Sequence, residues 1–316
     1  MTVPPLFGPY GRAALQHVER FAEYGANASW FHGFDAAAFA MCERHDIAAC
    51  VEFKIFRADF DASPELIPIG VDGRPIRYER LVQGVCLSQA AFVEQIEVSL
   101  VAGLRAFRPV GIWLDYLTYA GWFETPAPDL QQSCFCQACI ADFCAATGIA
   151  EMSPHDILAR HLDAWTRHKC ARIAAYAARY AALIRAEQPE CIVGAYMCPW
   201  FPDEFDGALG RIFAQDYALL APAIDVFTPL IYASKSGRAA DWGRRYLERS
   251  PELLPAGRKL QLILDALDFP ASLEETAAAT PPSWGVQLFG GATVFSEPEA
   301  GRVFRAAVEL IRAAAG

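Results

Sequence analysis

The chain has 316 residues, 54% of them hydrophobic and 20% charged, which is enough to bury a large core in one barrel or in two smaller domains. Its 27 basic side chains stand against 37 acidic ones, a formal charge of −10, and no basic run interrupts the sequence. Nucleic acid is therefore excluded as an expected partner, because phosphate binding needs a concentrated Lys/Arg footprint.

Read in chain order, short apolar runs rich in Val, Ile and Phe alternate with segments of helical period. The opening MTVPPLFGPYGRAALQ lacks the basic region and the continuous apolar region of a signal peptide. It contains the first expected strand, PPLFGPY, followed by the helix pattern GRAALQHVERFAEYG, which Gly25 would close as a C-cap. NASWFHGF and AACVEFKIF are the second and third expected strands. A long connection over residues 55–87 then leads into the helix pattern QAAFVEQIEVSLVAGLRAF. VGIWLDYL is the fourth strand, and a second long connection, residues 117–152, precedes the helix pattern DILARHLDAWTRHKCARIAAYAARYAALIRAEQ. CIVGAYMC, IDVFTPLIY, KLQLILDAL and WGVQLFGGATVFS supply the fifth to eighth strands. The alanine-rich part of the long helix carries several arginines and does not read as a membrane span. A cytoplasmic protein without a membrane partner is expected, and homo-oligomerisation stays open.

Eight apolar strands alternating with helices imply parallel pairing, since each return to the same edge needs a crossover. Strands apolar on both faces suit a sheet covered on both sides. The expected fold is α/β, a (β/α)8 TIM barrel spanning residues 1–316 as one domain, with long loops after strands 3 and 4. An open doubly wound sheet is the alternative, but GPYGRA after the first strand lacks the dinucleotide-binding glycine spacing. Loops after the strand C-termini build the active sites of barrels, so chemistry is expected on the two long connections.

Of the ten cysteines, Cys42, Cys50, Cys170, Cys191 and Cys198 sit among small apolar neighbours and read as buried thiols. Cys134, Cys136 and Cys139 instead cluster in a polar loop. Structural zinc takes four ligands, with thiolates about 2.3 Å from the metal. Cys144 follows on a helix and points away, whereas Cys86 ends the neighbouring long loop and can reach the cluster. A structural Zn²⁺ on Cys86, Cys134, Cys136 and Cys139 would staple the loop around 117–150; a disulfide or free thiols are the other readings. Four thiolates leave no open coordination position for chemistry.

The carboxylates decide the reaction class. Asp115 closes the apolar run VGIWL, and Tyr116, Tyr119 and Trp122 follow it as aromatic surface. Glu52 and Lys54 alternate on the third strand and share a face, as an internal ion pair or as functional groups. Asp265 ends the seventh strand as Asp115 ends the fourth, with Asp268 in the loop beyond. Trp200, Asp203 and Glu204 follow the fifth strand, Tyr232 ends the sixth, and Glu297 lies beyond the eighth. His32 and Arg57 also sit near strand ends. No His pair has ligand spacing and no GxSxG elbow is present.

Paired carboxylates on a barrel rim beside aromatic faces fit glycoside hydrolysis of a small saccharide or glycoside. Asp115, Asp265 and Glu52 are the catalytic candidates, with Asp265 the first choice of partner for Asp115. Lys54, Tyr116, Tyr119, Trp122, Trp200, Tyr232, Glu204, Glu297 and His32 are the candidates for substrate binding. Two other readings compete: a non-catalytic carbohydrate-binding barrel, and a sugar-acid lyase or isomerase using Glu52 and Lys54.

The stretches VCLSQAAFVEQIEVSLVAGL, PVGIWLDYLTY and CFCQACIADF together resemble a broad group of bacterial (β/α)8 proteins related to glycoside hydrolases. The thiol pattern is similar to the zinc site of glycoside hydrolase family 42 β-galactosidases, and the resemblance implies Cys86, Cys134, Cys136 and Cys139 as ligands. IDVFTPLIY also looks like a strand of these proteins; the resemblance covers about residues 50–235 well. Family 42 carries an Asn-Glu pair on the fourth strand where this chain has Leu114-Asp115, and a glutamate where it has Asp265. An Asp closing the fourth strand looks more like α-glycosidase barrels, in which that residue is the nucleophile.

Overall fold

The computed structural model describes residues 4–78 and 84–315. Its strands are β1 (Phe7–Tyr10), β2 (Ala28–His32), β3 (Ala48–Lys54), β4 (Gly111–Asp115), β5 (Ile192–Met197), β6 (Val226–Ile231), β7 (Lys259–Leu260), β8 (Leu262–Asp265) and β9 (Val286–Phe289). All pair in parallel in the order β5-β4-β3-β2-β1-β9-β8-β6-β7, and β5 also pairs with β6, which closes the sheet. β7 and β8 are two halves of the seventh barrel strand, parted at Gln261. The result is a closed eight-stranded parallel barrel wrapped by helices, the expected (β/α)8 architecture.

Alternation along the strands explains the two cores. Trp30, Cys50, Trp113, Tyr196, Val226 and Ile263 pack inside the barrel. Phe31, Val51, Ile112, Leu114, Val193 and Phe227 face the helices in the larger outer core. Trp113 fills the interior, edge-on to Trp30 with ring centres 5.4 Å apart, and its indole N–H donates to Thr228 Oγ1 at 2.8 Å. It fits because β4 and β5 present glycine beside it: a Cβ at Gly194 would lie 2.5 Å from the indole.

Gly8 is a tighter case. A Cβ there would fall 1.8 Å from the Ala28 carbonyl oxygen on the neighbouring strand, where no rotamer change can relieve the clash. Gly8→Ala should therefore separate β1 from β2 and destabilise the chain by about 1–3 kcal/mol. Urea unfolding of the purified variant checks this, and an unchanged midpoint would refute it.

Four sequence expectations need correction. The segment after β1 forms 3-10 turns over Arg12–Arg20, with a non-helical His17, in place of one α-helix running to Gly25. The helix pattern expected to begin at residue 156 is broken at His161 (φ −134°), before the long helix Leu162–Glu187. The eighth strand stops at Phe289, and Ala292–Ser296 is helical. Glu297 consequently sits exposed between that helix and the C-terminal helix Pro298–Ala315, and not beyond a strand end. Among the described residues, no helix is long and apolar enough to cross a membrane.

Both long connections carry structure of their own. After β3 the chain makes a 3-10 turn at Pro64–Leu66 and an antiparallel bridge between Ile69 and Pro75. After β4 it runs without regular structure to the helix Gln137–Thr147. Lys169 pins this second loop: fully buried, its ammonium donates to Gln132 Oε1 at 3.0 Å and to the Arg211 carbonyl, and lies 5.2 Å from the Tyr119 ring centre. Burial pushes its pKa down to about 7, with Cys170 and Arg211 contributing opposing smaller effects. Between about pH 7 and 10.5 the unfolded chain then holds a proton that the folded chain lacks, so stability from this group rises with pH across that window. Lys169→Met should flatten that rise. Urea midpoints at pH 7 and pH 9 test it, and equal slopes in both chains would refute it.

Candidate active site

Strand register gathers the polar groups that end β1 to β4. Glu52 pairs in register with His32, and Lys54 with Asp115, so four side chains on alternate positions face one another at the C-terminal mouth. The Tyr10 hydroxyl donates to Glu52 Oε2, which also lies 3.3 Å from His32 Nδ1; Lys54 Nζ stands 3.4 Å from Oε1. Asp115 hydrogen-bonds Glu52 through its side chain and accepts from the Tyr116 amide at 2.9 Å. Tyr116 itself is held at φ 57°, in the left-handed region, directly after this carboxyl. Such backbone costs about 1–3 kcal/mol and concentrates at functional sites.

The two acids share one proton. For Glu52, burial works against ionisation, but hydrogen bonds from His32 and Asp115, the Lys54 charge and the Tyr10 hydroxyl outweigh it and bring the pKa down to about 2. Asp115 is driven well above the ordinary carboxyl range by burial and by the neighbouring Glu52 charge. Glu52 is thus the anion and Asp115 the protonated acid, the division that two like charges in contact enforce.

These groups line a cavity of about 260 Å³. Tyr10, Glu52, Lys54, Asp115 and Tyr116 form one side, with Trp122, Phe123 and Glu124 from the loop after β4 and Tyr196, Tyr232 and Phe289 completing the wall. Aromatic faces around a few convergent polar groups are the ordinary composition of a small-molecule site.

The other sequence candidates stand elsewhere. Asp265 is buried: its Oδ1 accepts from the Leu267 amide at 3.0 Å and its Oδ2 binds Lys235 Nζ at 2.6 Å, so both oxygens are engaged and it does not line the cavity. Tyr119 and Trp200 are also buried, because Lys169 lies over the first ring and Phe205 stacks on the second at 4.0 Å. Glu204 is taken by Arg238 (2.7 Å) and the Phe201 amide (2.9 Å). Asp203 pairs with Arg249 and Asp268 accepts from the Ser234 amide, while Arg57 is exposed. His32 reaches Glu52 but stands outside the lining.

Sequence reading missed Tyr10, Glu124, Tyr196 and Lys235. Tyr10 and Tyr196 were legible in principle, as inward positions on expected strands. Glu124 lies in a polar loop with no periodicity, and only the folded loop reveals its burial. That burial pushes its pKa up to about 7, with Lys235 lowering it and Asp265 raising it.

The cysteines form the second feature. The sulfurs of Cys86, Cys134, Cys136 and Cys139 all lie within 4.8 Å of one another. Cys86 Sγ is 3.6 Å from Cys136 and 3.9 Å from Cys139. A tetrahedron with metal–sulfur bonds of about 2.3 Å has edges of about 3.8 Å, so the group fits a metal ion of that size. Donors point at the sulfurs as they would at thiolates: the Ile69 amide to Cys134 at 3.2 Å, Ser88 Oγ beside Cys139 at 3.0 Å, and Arg172 Nη1 to Cys139 at 3.8 Å. Cys144 stays outside, packed with Phe135 and Ile140, and all ten cysteines are free of disulfides.

No protein-family model matches the sequence, and no curated protein matches it. Solved structures are similar to it in fold. A polyextremophilic β-galactosidase from the Antarctic haloarchaeon Halorubrum lacusprofundi superposes with a TM-score of 0.66 at 12% identity, covering 96% of this chain and 57% of that one. The cold-adapted β-galactosidase from Rahnella sp. R3 gives 0.68 at 14% identity, covering 99% and 57%. A GH18 chitinase from Pseudoalteromonas aurantia gives 0.52 at 11% identity, covering 97% and 99%. The barrel is one that glycoside hydrolases use. This chain spans 57% of the length of each of those two β-galactosidases.

Proposed function

We propose that the protein is a glycoside hydrolase acting on a small saccharide or glycoside in the cavity at the barrel mouth. The observation that carries this reading is Asp115, a carboxyl kept protonated by the adjacent Glu52 anion and aimed into an aromatic cavity. A neutral acid at pH 7 can give its proton to a departing glycosidic oxygen, and Tyr116, Trp122, Tyr232 and Phe289 offer faces for a sugar ring. On this reading Asp115 is the acid, and not the nucleophile that the likeness to α-glycosidase barrels implies. Asp265 holds Lys235 in place.

The similarity in fold to β-galactosidases and a chitinase supports the reaction class and leaves the sugar open. The lyase reading is the weaker one: a Glu52 carboxylate that ionises near 2 is a poor base for abstracting a carbon-bound proton. We assign the cysteine cluster a structural Zn²⁺, bound by four thiolates and so closed to substrate.

A panel of aryl glycosides covering several sugars and both anomers tests the reaction. Release of aryl alcohol with at least one of them is expected. If none is cleaved while sugars still bind calorimetrically, the non-catalytic binding barrel takes its place.

A further inference from the structure

If the cavity is that of a glycosidase, Asp115 needs an ionised partner that meets the same substrate. Resting on that reading, we propose that Glu124 is the catalytic base, activating the water that attacks the sugar. Glu124 lines the same cavity as Asp115, and it reaches there on the loop after β4 with Trp122 and Phe123. Its charged neighbours come from a different arc of the barrel. Asp115 is surrounded by Glu52 and Lys54 of β3, whereas Glu124 feels Lys235, beyond β6, and Asp265, at the end of β8. The Tyr232 and Tyr116 hydroxyl groups also feel its charge.

The surroundings of Glu124 are built rather than incidental. Lys235 is fixed by Asp265 Oδ2 at 2.6 Å and by the rings of Tyr232 and Phe289, each with its centre 4.7 Å from the ammonium. The loop is anchored through Phe123, which packs edge-on against Phe213 at 5.4 Å and Trp200 at 6.2 Å. This explains why Trp200 is buried beneath the site instead of touching ligand. Of the two acids on that side, Asp265 spends both oxygens on Leu267 and Lys235, whereas Glu124 lines the cavity. Burial against the Lys235 charge places ionisation at about 7, where a carboxyl can accept a proton at neutral pH and still form a useful base.

The step balances without a cofactor. The water oxygen bonds to the anomeric carbon while its proton passes to the Glu124 carboxylate. The bond from that carbon to the glycosidic oxygen breaks, and the leaving oxygen takes the Asp115 proton. The products are a hemiacetal and an alcohol; solvent takes the proton from Glu124 and supplies one to Asp115.

The test uses the full chain and the best aryl glycoside of the panel. Glu124→Gln should lower kcat/KM by about 10²–10⁴ with nitrophenyl and dinitrophenyl leaving groups alike. The rise of wild-type kcat/KM as pH passes through about 7 should disappear with it. Glu124→Ala should regain turnover in azide, with glycosyl azide as product, and wild-type hydrolysis followed by proton NMR should release the inverted anomer. Melting temperatures of both variants close to wild type show that the fold is intact; Glu124→Asp, retaining partial activity, covers the case in which they are not. A Glu124→Gln rate near wild type, a retained anomer, or azide rescue of Asp265→Ala with none for Glu124→Ala overturns the assignment while leaving the glycosidase reading standing. A wild-type chain that cleaves no glycoside overturns both.

Discussion

Asp115→Asn is expected to lose about two to four orders of magnitude in kcat/KM toward aryl glycosides with poor leaving groups, the usual contribution of a positioned general acid. With a dinitrophenyl leaving group, which departs without protonation, the loss should shrink to a small factor. That dependence on the leaving group distinguishes an acid from a base or a merely structural residue, because neither of those would spare activated substrates. The fold should tolerate the change. Asparagine keeps the oxygen that accepts from the Tyr116 amide, and its amide N–H can replace the Asp115 proton in the bond to Glu52. The strand beneath is packed by Ile112, Trp113 and Leu114, all fully buried. Circular dichroism melts should therefore superpose on wild type. A variant that cleaved the poorest leaving group at near wild-type rate would end the assignment of Asp115 as acid. A loss of equal size with every leaving group would move it to another role.

The second large effect concerns the cysteines. Elemental analysis of metal-replete protein should find close to one zinc per chain, and Cys139→Ser should lose it. Structural zinc sites carry apparent binding energies of about 10–16 kcal/mol in zinc-finger peptides at neutral pH, energy that becomes folding energy when the site forms only in the folded chain. Here the ligands come from both long loops, and Cys86 lies in one while Cys134, Cys136 and Cys139 lie in the other. Arg172 of the long helix joins them, reaching Cys139 Sγ and the Leu87 carbonyl (3.1 Å) together. Loss of the metal should thus free both loops from that helix and lower Tm by an amount on the order of 10 °C, at about 2–4 °C per kcal/mol for large domains. The loop after β4 also carries Trp122, Phe123 and Glu124, so ligand affinity should fall with it. Zinc-free protein from zinc-supplemented expression, or a Cys139→Ser chain melting like wild type, would rule the metal out.

The barrel and the shared face of Glu52 and Lys54 followed from the sequence, because strand alternation is a local rule that neighbouring residues enforce. The cysteine grouping was legible for a related reason. Three thiols in one short loop point to a shared ligand, and adjacent loops of a barrel bring in Cys86. What the tertiary structure decided is which polar groups remain available. Asp265 has the same strand-end position as Asp115, yet Lys235 arrives from beyond β6 and occupies it. Tyr119 and Trp200 have the composition of a sugar platform, yet Lys169 and Phe205 bury them from other segments. Glu297 was expected beyond a strand running to Ser296, but that strand ends at Phe289 and Ala292–Ser296 is helical. Glu124 gave no local signal, since a carboxyl in a polar loop is ordinarily solvated and only packing of that loop makes it otherwise. Burial and ion pairing depend on contacts between segments distant in sequence; alternation does not, and the division between what was read and what was missed follows that line.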